Sequence, residues 1–81
     1  VEGHTITVAE KVTQLRRRMS GLKRGERLPL GADLAEAAAR SRTELAVLFL
    51  AVLEIIRRKY GTAEQDKLFG EIWLKKIEVR S

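Results

Sequence analysis

Residues 41–59 read SRTELAVLFLAVLEIIRRK, and this stretch predicts a long third helix over about residues 42–59. Ser41 with Glu44 three residues later has the spacing of a capping box, which marks the start of a helix. On a helical wheel, five apolar residues share one side: Leu45, Leu48, Val52, Ile55 and Ile56. Four more extend the apolar surface beyond a normal stripe: Ala46, Phe49, Leu50 and Leu53. Such a helix needs cover on more than one side, from its own domain or from a partner.

Two shorter helices and a short strand are predicted before this stretch. Thr7 and Glu10 form another capping box, so a first helix should begin at Val8. Residues 28–30 contain a proline, which restricts them to an edge or a very short strand. The alanine-rich residues 32–40 favour a second helix. The expected inner faces are Val8, Val12, Leu15 and Met19 for the first helix, and Leu34, Ala35 and Ala38 for the second.

The residues after the third helix predict a β-hairpin. Residues 61–66 are weakly β, and residues 69–79 alternate, with Ile72 and Leu74 on one face. Helix, strand, helix, helix and hairpin is the element order of a winged helix. The sequence therefore predicts an α+β winged-helix domain with three helices, a small β-sheet and a C-terminal wing hairpin. Residues 1–6 are expected to form an N-terminal tail, and residues 7–81 a single domain.

The composition excludes several classes of site. The 81 residues carry a net charge of +5, with no cysteine and a single histidine, His4. Disulfides, thiolate nucleophiles, cysteine-based zinc sites and multi-histidine metal sites therefore lack the residues to build them. The six glycines are scattered, and no phosphate-binding glycine loop occurs. We expect a non-enzymatic domain with no catalytic residues, no metal site and no cofactor.

The N-terminal residues and the apolar runs predict the cellular compartment and whether the chain crosses a membrane. The longest apolar run is about half of what a bilayer-spanning helix needs, so no membrane segment is predicted. The first residues lack the pattern of a signal peptide, which makes the cytoplasm the expected compartment. The chain does not begin with methionine. We expect it to be one module of a longer protein.

The basic charge raises nucleic-acid binding as a hypothesis. A recognition helix needs Arg, Asn, Gln or Ser for base edges and phosphates, whereas the third helix presents mainly aliphatic residues. Sequence-specific readout is therefore not predicted. Non-specific contact with the DNA backbone stays open as an alternative. It would use three basic groups: Arg16, Arg17 and Arg18 with Lys23 and Arg24; Arg57, Arg58 and Lys59; and Lys75, Lys76 and Arg80.

Two apolar residues and one amide are candidates for a binding surface. Phe49 and Leu53 lie four residues apart, hence on one face of the third helix, and the Gln65 amide lies near the hairpin turn. Apolar helical stripes are usually core, so these residues by themselves favour core for Phe49 and Leu53. The excess of apolar surface keeps an interface open, either with a partner protein or with a second copy of the chain.

Residues 49–74 read FLAVLEIIRRKYGTAEQDKLFGEIWL and resemble a known family. The pattern is that of the C-terminal winged-helix domain of the bacterial and archaeal kleisins, the segregation and condensation protein A family. Its parts are residues 49–55, the basic pair Arg57 and Arg58, Gln65, and residues 69–72. Residues 7–15, TVAEKVTQL, resemble the family's capped first helix.

The resemblance implies an adaptor that docks on the ATPase head of an SMC protein with its third helix and wing. It assigns Phe49, Leu50, Leu53, Gln65 and Arg57 to the contact with the head, and so reverses the preference for core. The parent chain would bind the neck of the other SMC subunit and segregation and condensation protein B (ScpB). Direct DNA binding would be weak or absent, and the location cytoplasmic at the nucleoid.

One position departs from the family pattern. Family members usually carry β-branched or aliphatic residues at the positions of Gly61 and Thr62. Glycine weakens a strand. We therefore expect the first strand of the wing to be short or bent, which also affects where Gln65 lies.

Overall fold

Three helices and three strands follow one another in the computed structural model, which describes residues 6–67 and 70–77. Their bounds are α1 Val8–Ser20, β1 Arg27–Pro29, α2 Gly31–Arg40, α3 Arg42–Arg57, β2 Gly61–Gln65 and β3 Ile72–Lys76. The strands form one antiparallel sheet in the order β1-β3-β2. This is the predicted α+β winged-helix arrangement, with β2 and β3 as the wing. The tail predicted for residues 1–6 lies, apart from Ile6, outside the described residues, as do His4 and Phe69.

The first of the two predicted capping boxes is complete, and the second is half formed. The Glu10 N–H donates to Thr7 Oγ1 at 3.1 Å, and the Thr7 N–H donates to Glu10 Oε1 at 2.8 Å. At α3, Ser41 Oγ accepts from the Glu44 N–H at 3.0 Å. The second hydrogen bond of a capping box, from the Ser41 N–H to the Glu44 carboxylate, is not formed. The Ser41 N–H donates to the Ala37 carbonyl instead, and the Glu44 carboxylate pairs with Arg40 at 3.6 Å. Both helices nevertheless begin where the capping residues predict.

The core lies between α1, α3 and the sheet, and α2 packs at its side. Its buried residues are Val12, Leu15, Met19, Leu28, Leu30, Leu48, Ala51, Ile55 and Leu74. One expectation for α3 is wrong, because Ile56 is 37% exposed, whereas Ala51, which was not among the expected residues, lies in the core. On α2, Leu34 and Ala37 pack on the core, while Ala35 and Ala38 are exposed.

The expectation of a short or bent first wing strand is also wrong. Strand β2 pairs with β3 in continuous register over all five of its residues. Gly61 is buried, and a Cβ there would lie 2.5 Å from Met19 Cε and 2.9 Å from the Lys75 carbonyl oxygen. Glycine at this position therefore allows the strand to approach α1 closely, and this packing offsets its weak intrinsic preference for a strand.

The outer face of the sheet carries the tryptophan. Trp73 and Leu74 lie on opposite faces of β3, as the alternation predicts, and Leu74 is buried under the helices. The Arg27 guanidinium lies 4.4 Å from the centre of a Trp73 ring. Arg27 also pairs with Glu64 at 3.2 Å and with Asp66 at 3.4 Å. One arginine of β1 thus reaches across the central strand to the wing.

Helix α3 ends two residues before the predicted boundary, in a Schellman turn. The Tyr60 N–H donates to the Ile55 carbonyl and the Lys59 N–H to the Ile56 carbonyl, both at 3.0 Å. Lys59 has a φ of 63°, in the left-handed region where glycine is the usual residue. This turn directs the chain from α3 into β2.

Candidate functional site

The candidate site is the side of α3 that points away from the core. Phe49 is 46% exposed, Leu50 52% and Leu53 60%. On the opposite side of the same helix, Leu48 is 1% exposed and Ile55 is fully buried. The preference for core that the apolar stripe alone gives to Phe49 and Leu53 is therefore wrong. Both side chains lie on the surface of the domain.

These three residues and Arg57 form one continuous strip, which we call the outer α3 face. Phe49 precedes Leu53 by one helical turn, and Arg57 follows Leu53 by another, so the three lie one above the next. Leu50 lies beside Leu53 on the same face, three residues before it. Large apolar side chains placed together at this exposure are unusual in a small domain and mark interaction sites.

Arg57 is held in place by its own helix. Its Nε and Nη2 donate to the two carboxylate oxygens of Glu54 at 3.0 and 2.7 Å, and Arg58 Nε also donates to Glu54 Oε2. Hydrogen bonds from Arg57 and then Arg58 lower the pKa of the Glu54 carboxyl to about 2. The carboxylate is therefore charged at neutral pH and fixes the guanidinium of Arg57 at the end of the apolar strip.

Gln65 lies on the wing rather than on α3. It is the last residue of β2 and pairs with Ile72 across the hairpin. Its Nε2 donates to the Gly70 carbonyl oxygen at 3.2 Å, so the amide closes the hairpin turn from within. The amide still has an oxygen that accepts hydrogen bonds. Four of the five predicted site residues thus share one helix face, and the fifth belongs to the hairpin.

Two other kinds of feature are absent from the described part of the chain. Residues 6–67 and 70–77 contain no group of three or more side chains that could hold a metal ion. No helix among them is both long and apolar enough to cross a bilayer. Their exposed large apolar side chains include the three of the outer α3 face.

In comparisons with known proteins, no family model, no curated protein and no solved structure matches this chain. The class of the domain therefore follows from its own architecture. The element order and the β1-β3-β2 sheet define a winged-helix domain. Its third helix turns an apolar face outward, where DNA-reading winged helices present polar side chains.

Proposed function

We propose that this domain is a non-enzymatic adaptor that docks on the ATPase head of an SMC protein, as the C-terminal module of a prokaryotic kleisin. The observation that carries the proposal is the outer α3 face, where Phe49, Leu50 and Leu53 are 46–60% exposed. The same residues open the segment that resembles the family. The exposed surface therefore includes the first residues of the motif.

The physics of the strip fits a protein partner. Burying exposed aromatic and aliphatic side chains is favourable by about 25 cal/mol per Å² of apolar surface. Interfaces concentrate their binding energy in a few central anchors surrounded by polar residues. Phe49 and Leu53 have the character of anchors, and Arg57, fixed by Glu54, lies at the rim. Gln65 extends the contact onto the wing.

The proposed role implies further partners and a location. The parent chain would bind ScpB through another segment and the neck of a second SMC subunit through a third. The domain would act in chromosome condensation and segregation, in the cytoplasm at the nucleoid. It would contribute no catalytic residue and no cofactor of its own.

Co-purification of the domain with the SMC head of the same organism tests the proposal. Leu53→Glu and Phe49→Arg should each abolish the interaction and leave the circular dichroism spectrum unchanged. Ala38→Glu introduces the same charge at an exposed position of α2 and should leave binding intact. Binding by Leu53→Glu at wild-type strength would reject the assignment. Unfolding of Phe49→Arg would show that Phe49 belongs to the core.

A second copy of the chain is the competing occupant of the outer α3 face. Light scattering of the wild-type domain separates the two cases. A monomer that binds the SMC head supports the adaptor. A dimer that Leu53→Glu dissociates, with no binding to the head, assigns the face to self-association.

A further inference from the structure

Cations that lie far apart in the sequence meet on another surface of the domain. Arg16 of α1, Lys59 after α3 and Lys76 of β3 line one recess. Lys76 also lines a neighbouring recess together with Arg24 and Lys75. We call these five residues the basic cleft. They come from all three basic groups of the sequence, and none of them belongs to the outer α3 face.

In the described part of the chain, carboxylates lie outside the two recesses of the cleft, and Glu54 shares a third recess with Arg16. The ion pairs of the described residues use other cations: Arg18 with Asp33, Arg27 with Glu64 and Asp66, Arg40 with Glu44, and Arg57 and Arg58 with Glu54. Neither Arg16, Lys59, Lys75 nor Lys76 forms an ion pair within that part of the chain. Like charges gathered on one surface attract a polyanion.

The side chains of the cleft are positioned by packing. The Arg16 guanidinium lies 3.7 Å from the centre of the Tyr60 ring. Lys76 Nζ donates to the Leu22 carbonyl oxygen at 3.2 Å. The Tyr60 carbonyl accepts from the Ile77 N–H at 3.3 Å, which fastens the start of the wing to its end. Two of the cations are therefore ordered before any ligand arrives, which favours binding.

Lys59 supplies an independent indication. It occupies the left-handed position of the Schellman turn, with a φ of 63°, where glycine or asparagine is the residue that a helix end prefers. A lysine there is unfavourable for the backbone, and its side chain lines the first recess of the cleft. Backbone strain of this kind concentrates at functional sites.

We infer that the basic cleft binds the phosphate backbone of double-stranded nucleic acid without reading its sequence. The two recesses, about 230 and 310 Å³, lie near the lower limit for small-molecule pockets, and they share Lys76 as a lining residue. No Asn, Gln, Asp or Glu of the described residues lines the two recesses to read a base edge, and the Ser20 hydroxyl there already donates to the Arg17 carbonyl oxygen. Tyr60 packs on the core beneath Arg16 and offers no free ring for stacking unpaired bases.

Fluorescence anisotropy with a labelled random-sequence duplex of about 20 base pairs tests the inference. We expect log K to fall linearly with log salt, by about 0.9 for each phosphate neutralised. Lys59→Asn and Lys75→Gln should each weaken binding and reduce the slope by about 0.9, since neither removes a described hydrogen bond. Lys67→Gln removes one exposed charge from the hairpin turn and should leave the slope unchanged.

Three results would overturn the inference. One is no duplex binding at about 50 mM salt, where phosphate contacts are strong. Another is an equal loss of affinity in Lys59→Asn and Lys67→Gln, which would assign binding to net charge alone. The third is tighter binding to single strands or to vesicles of anionic lipid than to the duplex. Leu53→Glu should not change duplex binding, so this test is separate from that of SMC docking.

Discussion

A Cβ at Gly61 would lie 2.5 Å from Met19 Cε, closer than side chains pack, so glycine is what allows β2 to lie against Met19 of α1. The Lys75 carbonyl oxygen, only 2.9 Å away, belongs to the backbone of the paired strand and cannot rotate aside. Gly61→Ala should therefore overpack the core and lower the free energy of unfolding by about 1–3 kcal/mol. Urea denaturation measures the change.

Gly21 provides the matched control for this prediction. A Cβ there would meet only the Arg18 carbonyl oxygen, at an ordinary 3.6 Å, and its φ of −84° suits any residue. Gly21→Ala should leave stability unchanged or raise it by about 0.5 kcal/mol, because alanine restricts the unfolded chain. Equal effects of the two substitutions would contradict the packing argument.

Leucines on opposite sides of α3 should respond differently to the same truncation. Leu48 is 1% exposed and Leu53 60%. Leu48→Ala should cost about 2–5 kcal/mol through lost burial and a cavity. Leu53→Ala should cost less than about 1 kcal/mol, because little surface is removed from the core. Thermal or chemical denaturation of both variants checks this contrast, and a large loss in Leu53→Ala would place that residue in the core.

The Glu54 carboxylate should contribute to stability in a pH-dependent way. Its pKa is lowered from 4.5 to about 2 in the folded chain, mainly by hydrogen bonds from Arg57 and Arg58. A lowered folded-state pKa gives a contribution that is complete above the unfolded pKa and is lost as pH falls toward the folded one. The stability difference between wild type and Glu54→Gln should thus be constant above about pH 4.5 and shrink between about pH 4.5 and 2.

Urea titrations of both proteins across that range measure the difference, and subtraction removes the contribution of the other carboxylates. A difference that does not vary with pH would show that the Glu54 ion pairs do not persist in solution.

Lys59 should be less favourable for stability than glycine. A left-handed conformation costs a non-glycine residue about 1–2 kcal/mol, partly offset by the greater freedom of glycine in the unfolded chain. Lys59→Gly should therefore raise the free energy of unfolding by about 0.5–1 kcal/mol. Lys59→Ala removes the same side chain but keeps the Cβ, and should show no gain. Melting temperatures of the two variants distinguish the release of backbone strain at residue 59 from the loss of its charge.

Local signals predicted the elements of this fold well. Thr7 and Glu10 mark the start of α1, and the alternation around Leu74 identifies the inner face of β3. On α2 the sequence predicts Ala38 as an inner residue, whereas Ala37 packs on the core. A run of alanines gives no difference in hydrophobicity between the sides of a helix. The low intrinsic preference of glycine for strands predicts a weak strand at Gly61, whereas close packing against Met19 determines the role of this residue.

The surfaces were predictable only in part. The apolar excess on α3 shows in the sequence, but whether Phe49 lies inside or outside depends on how the sheet covers the helix. The basic cleft could not be predicted, since Arg16, Lys59 and Lys76 meet only through the tertiary fold. The hydrogen bonds that fix Arg57 use a carboxylate three residues away, and the Glu54 and Arg57 spacing was a signal that could have been read.

The position of β3 in the sheet has a consequence for synthesis of the protein. It is the last of the described strands in the chain, yet it lies between β1 and β2 and provides the hydrogen-bonding partner of each. In a nascent chain, both outer strands therefore lack their hydrogen-bonding partner until residues 72–76 leave the ribosome. Synthesis proceeds at about 5–20 residues per second. Truncation before Ile72 should yield helices with no sheet, a species that chaperones and proteases would recognise.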